Sequence, residues 1–174
     1  MASAPGKQAA WLEVGRLATA AARVKRIVVI ASEFNVSITR ALVDGAVQAL
    51  TERGVRRARI RVYWVPGAFE LPCAVACAAS VAKPDAIVAL GCLIRGATPQ
   101  YAAIGEAVAI GLQQVCVTTR IPVGFGLIIA DSVEQARERS GGRAGHRGRE
   151  AALAALAMSE FCGKLRKKGS GRHA

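Results

Sequence analysis

Residues 95–100 carry residue types suited to binding an anion. They read Arg-Gly-Ala-Thr-Pro-Gln, after an apolar run at residues 86–94 and before apolar positions spaced by three or four residues. The run is typical of a buried parallel strand, and the spacing of a helix. A helix N-terminus at the carboxyl end of a strand offers free N–H groups to phosphate. The segment therefore predicts a small anionic ligand. Taken by itself, it fits an ordinary strand-to-helix turn better.

Strand and helix patterns alternate along the rest of the chain. Strands are predicted at residues 26–32, 58–65, 86–94 and 122–129, and helices at 36–52, 69–81, 100–118, 132–140 and 149–165, with a glycine- and arginine-rich loop at 141–148. This alternation favours an α/β domain, a flavodoxin-like three-layer α/β/α sandwich with a four-stranded parallel sheet. Three loops with unusual residues follow strands, around Phe34, Phe69 and Thr98, so we expect them to converge at one sheet edge.

Length and composition fit one compact domain. The chain has 174 residues, of which 52% are hydrophobic and 5% aromatic. No apolar run reaches membrane-spanning length and no signal-peptide order opens the chain, so we expect a soluble cytoplasmic protein with no membrane partner. We divide the chain into an N-terminal arm (1–25), a domain (26–166) and a basic tail (167–174).

The five cysteines predict neither a disulfide framework nor a metal site. Their number is odd, no Cys-x-x-Cys occurs, and no His completes a ligand set with Cys73 and Cys77. We expect them to be buried, reduced thiols in a protein without metal.

The net charge of +12 is concentrated near the C-terminal end. Ten of the 24 basic residues fall within residues 137–172, against three acids. Such a segment can bind phosphate ligands, nucleic acid or a neighbouring subunit, or it can be a solvated basic face and tail. Nucleic-acid binding is not predicted, because no aromatic residues interleave with the basic ones and no recognition motif is present.

Four motifs in this order resemble the lumazine synthase family. They are Ser-Glu-Phe-Asn at residues 32–35, Val-Pro-Gly-Ala-Phe-Glu at 65–70, Gly-Cys-Leu-Ile-Arg-Gly-Ala-Thr at 91–98, and Glu-Gln-Ala followed by Glu-Arg and a glycine-rich loop from 134. The resemblance implies condensation of 5-amino-6-(D-ribitylamino)uracil with 3,4-dihydroxy-2-butanone 4-phosphate to 6,7-dimethyl-8-ribityllumazine. It implies no cofactor. It also implies sites between subunits of a pentamer or a 60-subunit shell, and an association with riboflavin synthase.

The resemblance also assigns residue roles. Phe34 and Phe125 would flank the pyrimidine, Arg139 would clamp the phosphate, and Arg147 would contact the neighbouring subunit. The pyrimidine and its ribityl chain would contact Ala68, Phe69, Glu70, Cys92, Leu93 and Ile94, while the amides of Ala97 and Thr98 would face the phosphate. The strand-like residues 11–14 would extend a neighbour's sheet.

The sequence departs from the family at its catalytic position. Gln100 stands where the family has a catalytic histidine, and Ala102 stands where it has an acid. Glutamine does not titrate, and loss of a general acid–base lowers a rate by about 10² to 10⁴. Two interpretations remain open: a working lumazine synthase, whether slow or not, or a non-catalytic relative that binds lumazines or flavins or only assembles. His146 is expected to be an exposed loop residue.

Overall fold

A computed structural model of the chain describes residues 26–170, and its elements follow the predicted order. The strands are β1 (Ile27–Ser32), β2 (Ile60–Val65), β3 (Ala86–Ile94), β4 (Val123–Ala130), β5 (Ser140–Gly142) and β6 (Gly145–His146). The helices are α1 (Val36–Glu52), α2 (Leu71–Val81), α3 (Gln100–Thr119), α4 (Val133–Arg139) and α5 (Arg147–Ser170). Short 3₁₀ turns at Arg57–Arg59 and Ala68–Glu70 precede β2 and α2.

The four long strands form one parallel sheet in the order β2-β1-β3-β4. This is the strand order of flavodoxin-like folds, in which ligands bind beyond the carboxyl ends of the strands. The prediction of a four-stranded parallel sheet is therefore confirmed. All six residues of β1 are buried, because β1 is central and helices cover both of its faces.

Alternate residues of β1 enter two separate cores. Ile27, Val29 and Ala31 pack with the apolar faces of α1 and α5. Val28 and Ile30 pack with α2 and α3 on the other side of the sheet. Because side chains alternate across a strand, this division produces the three-layer α/β/α sandwich that the sequence predicts.

The glycine-rich segment 141–148 differs from the predicted loop. It forms the antiparallel hairpin β5–β6, in which Ser140 pairs with His146, and α5 begins at Arg147. Gly141 and Gly145 have φ of 131° and 100°, a region that side chains other than glycine avoid. The glycines therefore allow a tight reversal where their composition alone indicated irregular chain.

Cys73 and Cys77 are exposed and Cys116 and Cys162 are half-buried, so the expectation that all the cysteines are buried is wrong for these four. The buried face of α2 consists of Leu71, Val75 and Ala79. Successive residues of an α-helix are rotated by 100° about its axis. Cys73 and Cys77 each lie two residues from one of these buried positions, so they face the opposite side of the helix. Cys92, in the centre of the sheet, is buried as expected.

Within residues 26–170, α3 is long and apolar enough to span a membrane by length and composition alone. The expectation that no segment reaches that length is therefore wrong for this helix. Gly105, Val108 and Leu112 are buried, whereas Ile110 and Val117 are exposed. The predicted N-terminal strand at residues 11–14 lies outside the described residues.

Candidate functional site

The loops after β1 and β2 are hydrogen-bonded to each other at the carboxyl edge of the sheet. The Glu33 amide donates to the Val65 carbonyl at 2.8 Å, and the Phe34 amide donates to the Pro66 carbonyl at 3.2 Å. These bonds extend the β1–β2 pairing by two residues beyond Ser32. They bring Phe34 beside the turn that carries Phe69 and Glu70.

Asn35 joins this pair of loops to β3. Its backbone is left-handed, with φ of 58°, a conformation that asparagine tolerates better than most residues. Its side-chain Nδ2 donates to the Cys92 carbonyl at 3.0 Å. The motif containing Asn35 drew attention in the sequence, but its role as the link between β1 and β3 depends on a contact across 57 residues.

The aromatic residues of this edge are open to solvent. Phe34 is 69% exposed and Phe69 is 64% exposed, while Ala68 between the loops is buried. Large exposed apolar side chains at a sheet's ligand-binding edge indicate a surface that another molecule covers. Glu70 lies beside Phe69, with its carboxylate folded toward Gly67, and supplies an acceptor for hydroxyl groups.

Cys92 contributes its backbone to this edge. Burial raises the pKa of its thiol to about 11, so the thiol is protonated and a poor nucleophile near neutral pH. Its carbonyl already accepts from Asn35 but retains a second lone pair. Leu93 is buried and Ile94 is half-buried, which leaves the end of β3 accessible mainly through backbone groups.

Ala97 and Thr98 are exposed in the loop between β3 and α3. Pro99 occupies the N-cap position of α3 and provides no side-chain cap. The first amides of α3 are therefore without a side-chain acceptor from that position, at the positive end of a 20-residue helix. Gln100 is the first residue of α3 and is exposed.

A second cluster lies along the outer edge of β4. Glu150 bridges two arginines, accepting from Arg139 at 3.0 Å and from Arg147 at 3.4 Å. Arg139 also donates to the Ala144 carbonyl, and the Arg147 guanidinium lies 5.7 Å from the centre of the Phe125 ring. A shallow groove of about 290 Å³ runs between Phe125, Leu127, Ile128, Ile129, Arg139 and Arg147.

Phe125 does not lie beside Phe34 within one chain. Phe125 pairs with Ala89, in the first half of β3, whereas Phe34 follows the carboxyl end of β1. In register, Phe34 is four residues beyond the level of Phe125, or about 13 Å at 3.3 Å per residue, and two strands away, or about 10 Å. One chain therefore presents two partial clusters. The Phe34 cluster consists of Phe34, Ala68–Glu70 and residues 92–94 and 97–100. The Phe125 cluster consists of Phe125, Arg139, Arg147 and Glu150.

His146 is half-buried, so the expectation of an exposed loop residue is wrong. Its imidazole packs against Gly45 of α1, and within the described part of the chain its Nδ1 is a buried atom with no hydrogen-bond partner. Burial is the main cause that lowers the His146 pKa, and the charge of Arg149 adds to it. Glu150 and Asp44 act in the opposite direction.

Glu150 was not identified from the sequence. Its position three residues after Arg147 matches the spacing of a helical ion pair, and this signal could have drawn attention to it. The link to Arg139, eleven residues earlier, depends on the hairpin. Across residues 26–170, no group of three or more His, Cys, Asp or Glu side chains could hold a metal ion.

Comparison with known proteins assigns the chain to a family. A sequence-family profile described as 6,7-dimethyl-8-ribityllumazine synthase matches residues 24–162. A curated 6,7-dimethyl-8-ribityllumazine synthase from Gemmatimonas aurantiaca is 48% identical over 137 residues, covering 79% of this chain and 84% of that protein. The family match spans the Phe34 cluster, the Phe125 cluster and the sheet that carries them. The chain belongs to the 6,7-dimethyl-8-ribityllumazine synthase family.

Proposed function

We propose that this protein condenses 5-amino-6-(D-ribitylamino)uracil with 3,4-dihydroxy-2-butanone 4-phosphate, giving 6,7-dimethyl-8-ribityllumazine, inorganic phosphate and water in riboflavin biosynthesis. The observation that carries the proposal is the family match over residues 24–162, which includes every residue of both clusters. The 48% identity to a curated synthase supports the same reaction. Condensation of two small molecules without a redox change needs no cofactor.

The Phe34 cluster is suited to the pyrimidine. Phe34 and Phe69 provide exposed aromatic faces against which a flat heterocycle can stack. Backbone groups of residues 92–94 lie at the end of β3, where they can hydrogen-bond ring substituents. The Glu70 carboxylate is suited to the hydroxyls of the ribityl chain, because charged acceptors form stronger hydrogen bonds than neutral ones.

The phosphate of the ketone would lie at the start of α3. The amides near Ala97 and Thr98 can donate to it, and the positive end of the helix favours its charge. The Arg139 guanidinium of a second chain would complete this site, since a planar fork binds two phosphate oxygens at once. Arg147 would carry a further positive charge next to it.

The chemistry proceeds by proton transfers among bound groups. The 5-amino group attacks the ketone carbonyl, and loss of water gives an imine. Removal of an adjacent proton then expels inorganic phosphate, and the ribitylamino nitrogen closes the ring with loss of a second water. Gln100 would orient a water or the departing phosphate, while binding both reactants side by side supplies much of the acceleration.

Purified protein mixed with both substrates tests this proposal, with lumazine followed by absorbance or fluorescence. We expect formation above the uncatalysed condensation, and a loss with Glu70→Gln but not with the matched change Glu106→Gln on an exposed turn of α3. If the wild type binds the pyrimidine yet gives no product above background, the protein is a lumazine-binding relative. Gln100 and Ala102 favour that second function.

We infer that each site is shared by two copies of the chain. The support is the separation of about 13 Å along the strands and about 10 Å across them between Phe34 and Phe125 within one copy. A homo-oligomer that places the β4 edge of one copy against the Phe34 cluster of the next would unite them. The exposed Ile110 and Val117 of α3 supply apolar surface for such contacts.

Mixed oligomers provide the test of sharing. At a ketone concentration below the wild-type KM, Phe34→Ala and Arg139→Ala should each have strongly reduced activity alone, because every site then lacks one component. Chains carrying the two changes separately, co-expressed in one cell, should regain activity, since some sites receive both native halves. Co-expression that restores nothing would indicate that each copy builds its own site.

From the family resemblance, we also propose how many copies the oligomer contains and where β2 lies in it. The assembly is a pentamer or a 60-subunit shell of pentamers, in which the open side of β2 faces a neighbouring copy. Among the described strands, β2 pairs only with β1, and an unpaired edge is a template for another strand. Analytical ultracentrifugation separates monomer, pentamer and shell by mass.

We base two further proposals, the cellular location and the partner enzyme, on the same resemblance and on the exposed thiols. The protein is cytoplasmic, as the exposed Cys73 and Cys77 suit a reducing compartment. Riboflavin synthase, which consumes the lumazine product, is its partner in that compartment. Cell fractionation and co-purification with riboflavin synthase test the two statements separately.

A further inference from the structure

Basic residues precede every strand of the sheet, at the edge opposite to the Phe34 cluster. Arg26 comes before β1, Lys83 before β3 and Arg120 before β4, while the turn before β2 carries three arginines. The last described side chains of α5 add two more cations. We call this surface the basic edge: Arg26, Arg56, Arg57, Arg59, Lys83, Arg120, Lys164 and Arg166, all exposed.

Hydrogen bonds hold these residues on one surface. The Arg26 guanidinium donates to the Lys83 carbonyl at 3.1 Å, which joins the starts of β1 and β3. The Arg166 guanidinium donates to the Arg120 carbonyl at 3.4 Å, which brings the end of α5 to the start of β4. The chain brings these residues together from positions as far as 140 apart in sequence, so only the fold creates the surface.

The positive charge of the basic edge is poorly balanced. In residues 53–59, 82–85 and 120–122, which lead into β2, β3 and β4, the one acid is Asp85. It accepts a hydrogen bond from the Arg26 amide at 2.7 Å. Glu52, at the end of α1, forms an ion pair with Arg149 at 2.7 Å. A strong positive potential therefore faces solvent here, away from the substrate site.

The dimensions of the basic edge match a run of phosphates. The strand order places the starts of β2, β1, β3 and β4 in a row, and three gaps of about 4.8 Å give about 15 Å. Phosphates of one strand of a duplex follow each other at about 3.4 Å along the helix axis, so the row faces about four of them. Six of the eight cations are arginines, whose planar fork matches phosphate oxygens.

We propose that the basic edge binds duplex nucleic acid through its phosphate backbone, without reading base sequence. Residues 53–59, 82–85, 120–122 and 163–166 include no aromatic side chain, so the stacking platform that single strands require is missing from these segments. The same lack of aromatic anchors disfavours a membrane surface. The missing recognition motif noted in the sequence concerns base readout, which backbone binding does not use.

Fluorescence anisotropy of a labelled 20-base-pair DNA duplex of arbitrary sequence tests the proposal on the full chain. We expect a Kd of about 10⁻⁶ to 10⁻⁴ M at physiological salt. Contact with about four phosphates predicts that the logarithm of the association constant falls with the logarithm of the salt concentration with a slope of about −3.6 per bound copy. A second duplex of unrelated sequence should bind within about twofold.

The variant Arg56→Glu with Arg59→Glu reverses two charges of the basic edge. We expect its duplex affinity to fall at least tenfold at 50 mM salt, and its salt slope to become shallower by about 2. The matched control, Arg137→Glu with Arg143→Glu, makes the same change in net charge at the other end of the molecule and should bind within about threefold of wild type. Both proteins should have wild-type melting curves.

Three results would overturn the proposal. The first is no binding at 10⁻⁴ M protein and 50 mM salt, and the second is equal weakening by the two charge reversals, which would indicate net charge alone. The third is tighter binding to vesicles containing one-fifth phosphatidylserine than to the duplex, which would make the surface a membrane-binding one. Lumazine formation, measured on the same samples, reports separately on the enzyme because Arg56 and Arg59 lie away from both clusters.

Discussion

The imidazole of His146 occupies the space directly above Gly45. A Cβ atom placed on Gly45 would lie 2.0 Å from Nε2 of His146, well inside van der Waals contact. Close by, a Cβ on Gly148 would lie 2.1 Å from the Leu42 carbonyl oxygen. The hairpin and the start of α5 therefore rest on the backbone of α1, and this contact positions the adjacent Arg139 and Arg147.

Gly45→Ala should destabilise the protein. Alanine favours a helix interior over glycine by about 1 kcal/mol, but its methyl would displace the ring, and overpacking costs about 1 to 3 kcal/mol. We expect a net loss of up to about 2 kcal/mol in the free energy of unfolding, measured by urea unfolding. In a His146→Ala background the clash is gone, so the same Gly45→Ala change should stabilise by up to about 1 kcal/mol. Equal effects in both backgrounds would contradict the contact.

Stability should fall in mild acid because of His146. Burial lowers its pKa in the folded protein below the ordinary value of about 6.5, so the unfolded chain binds the proton more readily. The stability that depends on neutral His146 is present above about pH 6.5 and is lost as the pH falls through and below that value. Urea midpoints from pH 8 to pH 5 measure it.

His146→Asn is the control for this pH effect, because asparagine does not titrate. Its urea midpoint should decline less between pH 7 and pH 5 than that of the wild type. An identical decline in both proteins would assign the acid sensitivity to groups other than His146.

Arg139→Ala should weaken binding of the phosphorylated ketone and leave pyrimidine binding nearly unchanged. Loss of a charge-assisted bidentate contact costs about 1.5 to 3 kcal/mol, or roughly 10- to 150-fold in Kd. Isothermal titration calorimetry measures both ligands. Arg143→Ala, on the exposed tip of the same hairpin, should bind both as the wild type does. If Arg139→Ala bound the phosphorylated ketone with wild-type affinity, Arg139 would not be a ligand of the phosphate.

Gln100→His should raise the rate of lumazine formation and add an ionisation to its pH profile. The new pKa should lie at or below about 6.5, because the positive end of α3 disfavours a protonated imidazole there. Gln100→His with Ala102→Asp should exceed the single change, since a carboxylate can orient the ring. Gln114→His, near the other end of α3, should have no effect. If Gln100→His changes nothing, residue 100 does not reach the reacting atoms.

The elements of this fold and their order follow from the sequence, because each depends on local patterns. The bounds of α1, predicted at residues 36–52, agree with the structure, since apolar residues three and four apart define one face along its whole length. The apolar run at residues 86–94 became β3, since only a strand covered on both faces buries every side chain of such a run. Because these strands are parallel, the sequence also predicts that the candidate site lies at the carboxyl edge of the sheet.

Tertiary packing decided what local patterns could not. Cys73 and Cys77 are exposed because α2 directs a different row of residues to the sheet, and His146 is half-buried because Gly45, a hundred residues earlier, leaves room for its ring. Only the β3–β4 register places Phe125 at the level of Ala89, far from Phe34. The sequence alone therefore supplied the candidate site residues, whereas the long-range contacts of the folded chain decided that these residues form two separate clusters within one copy.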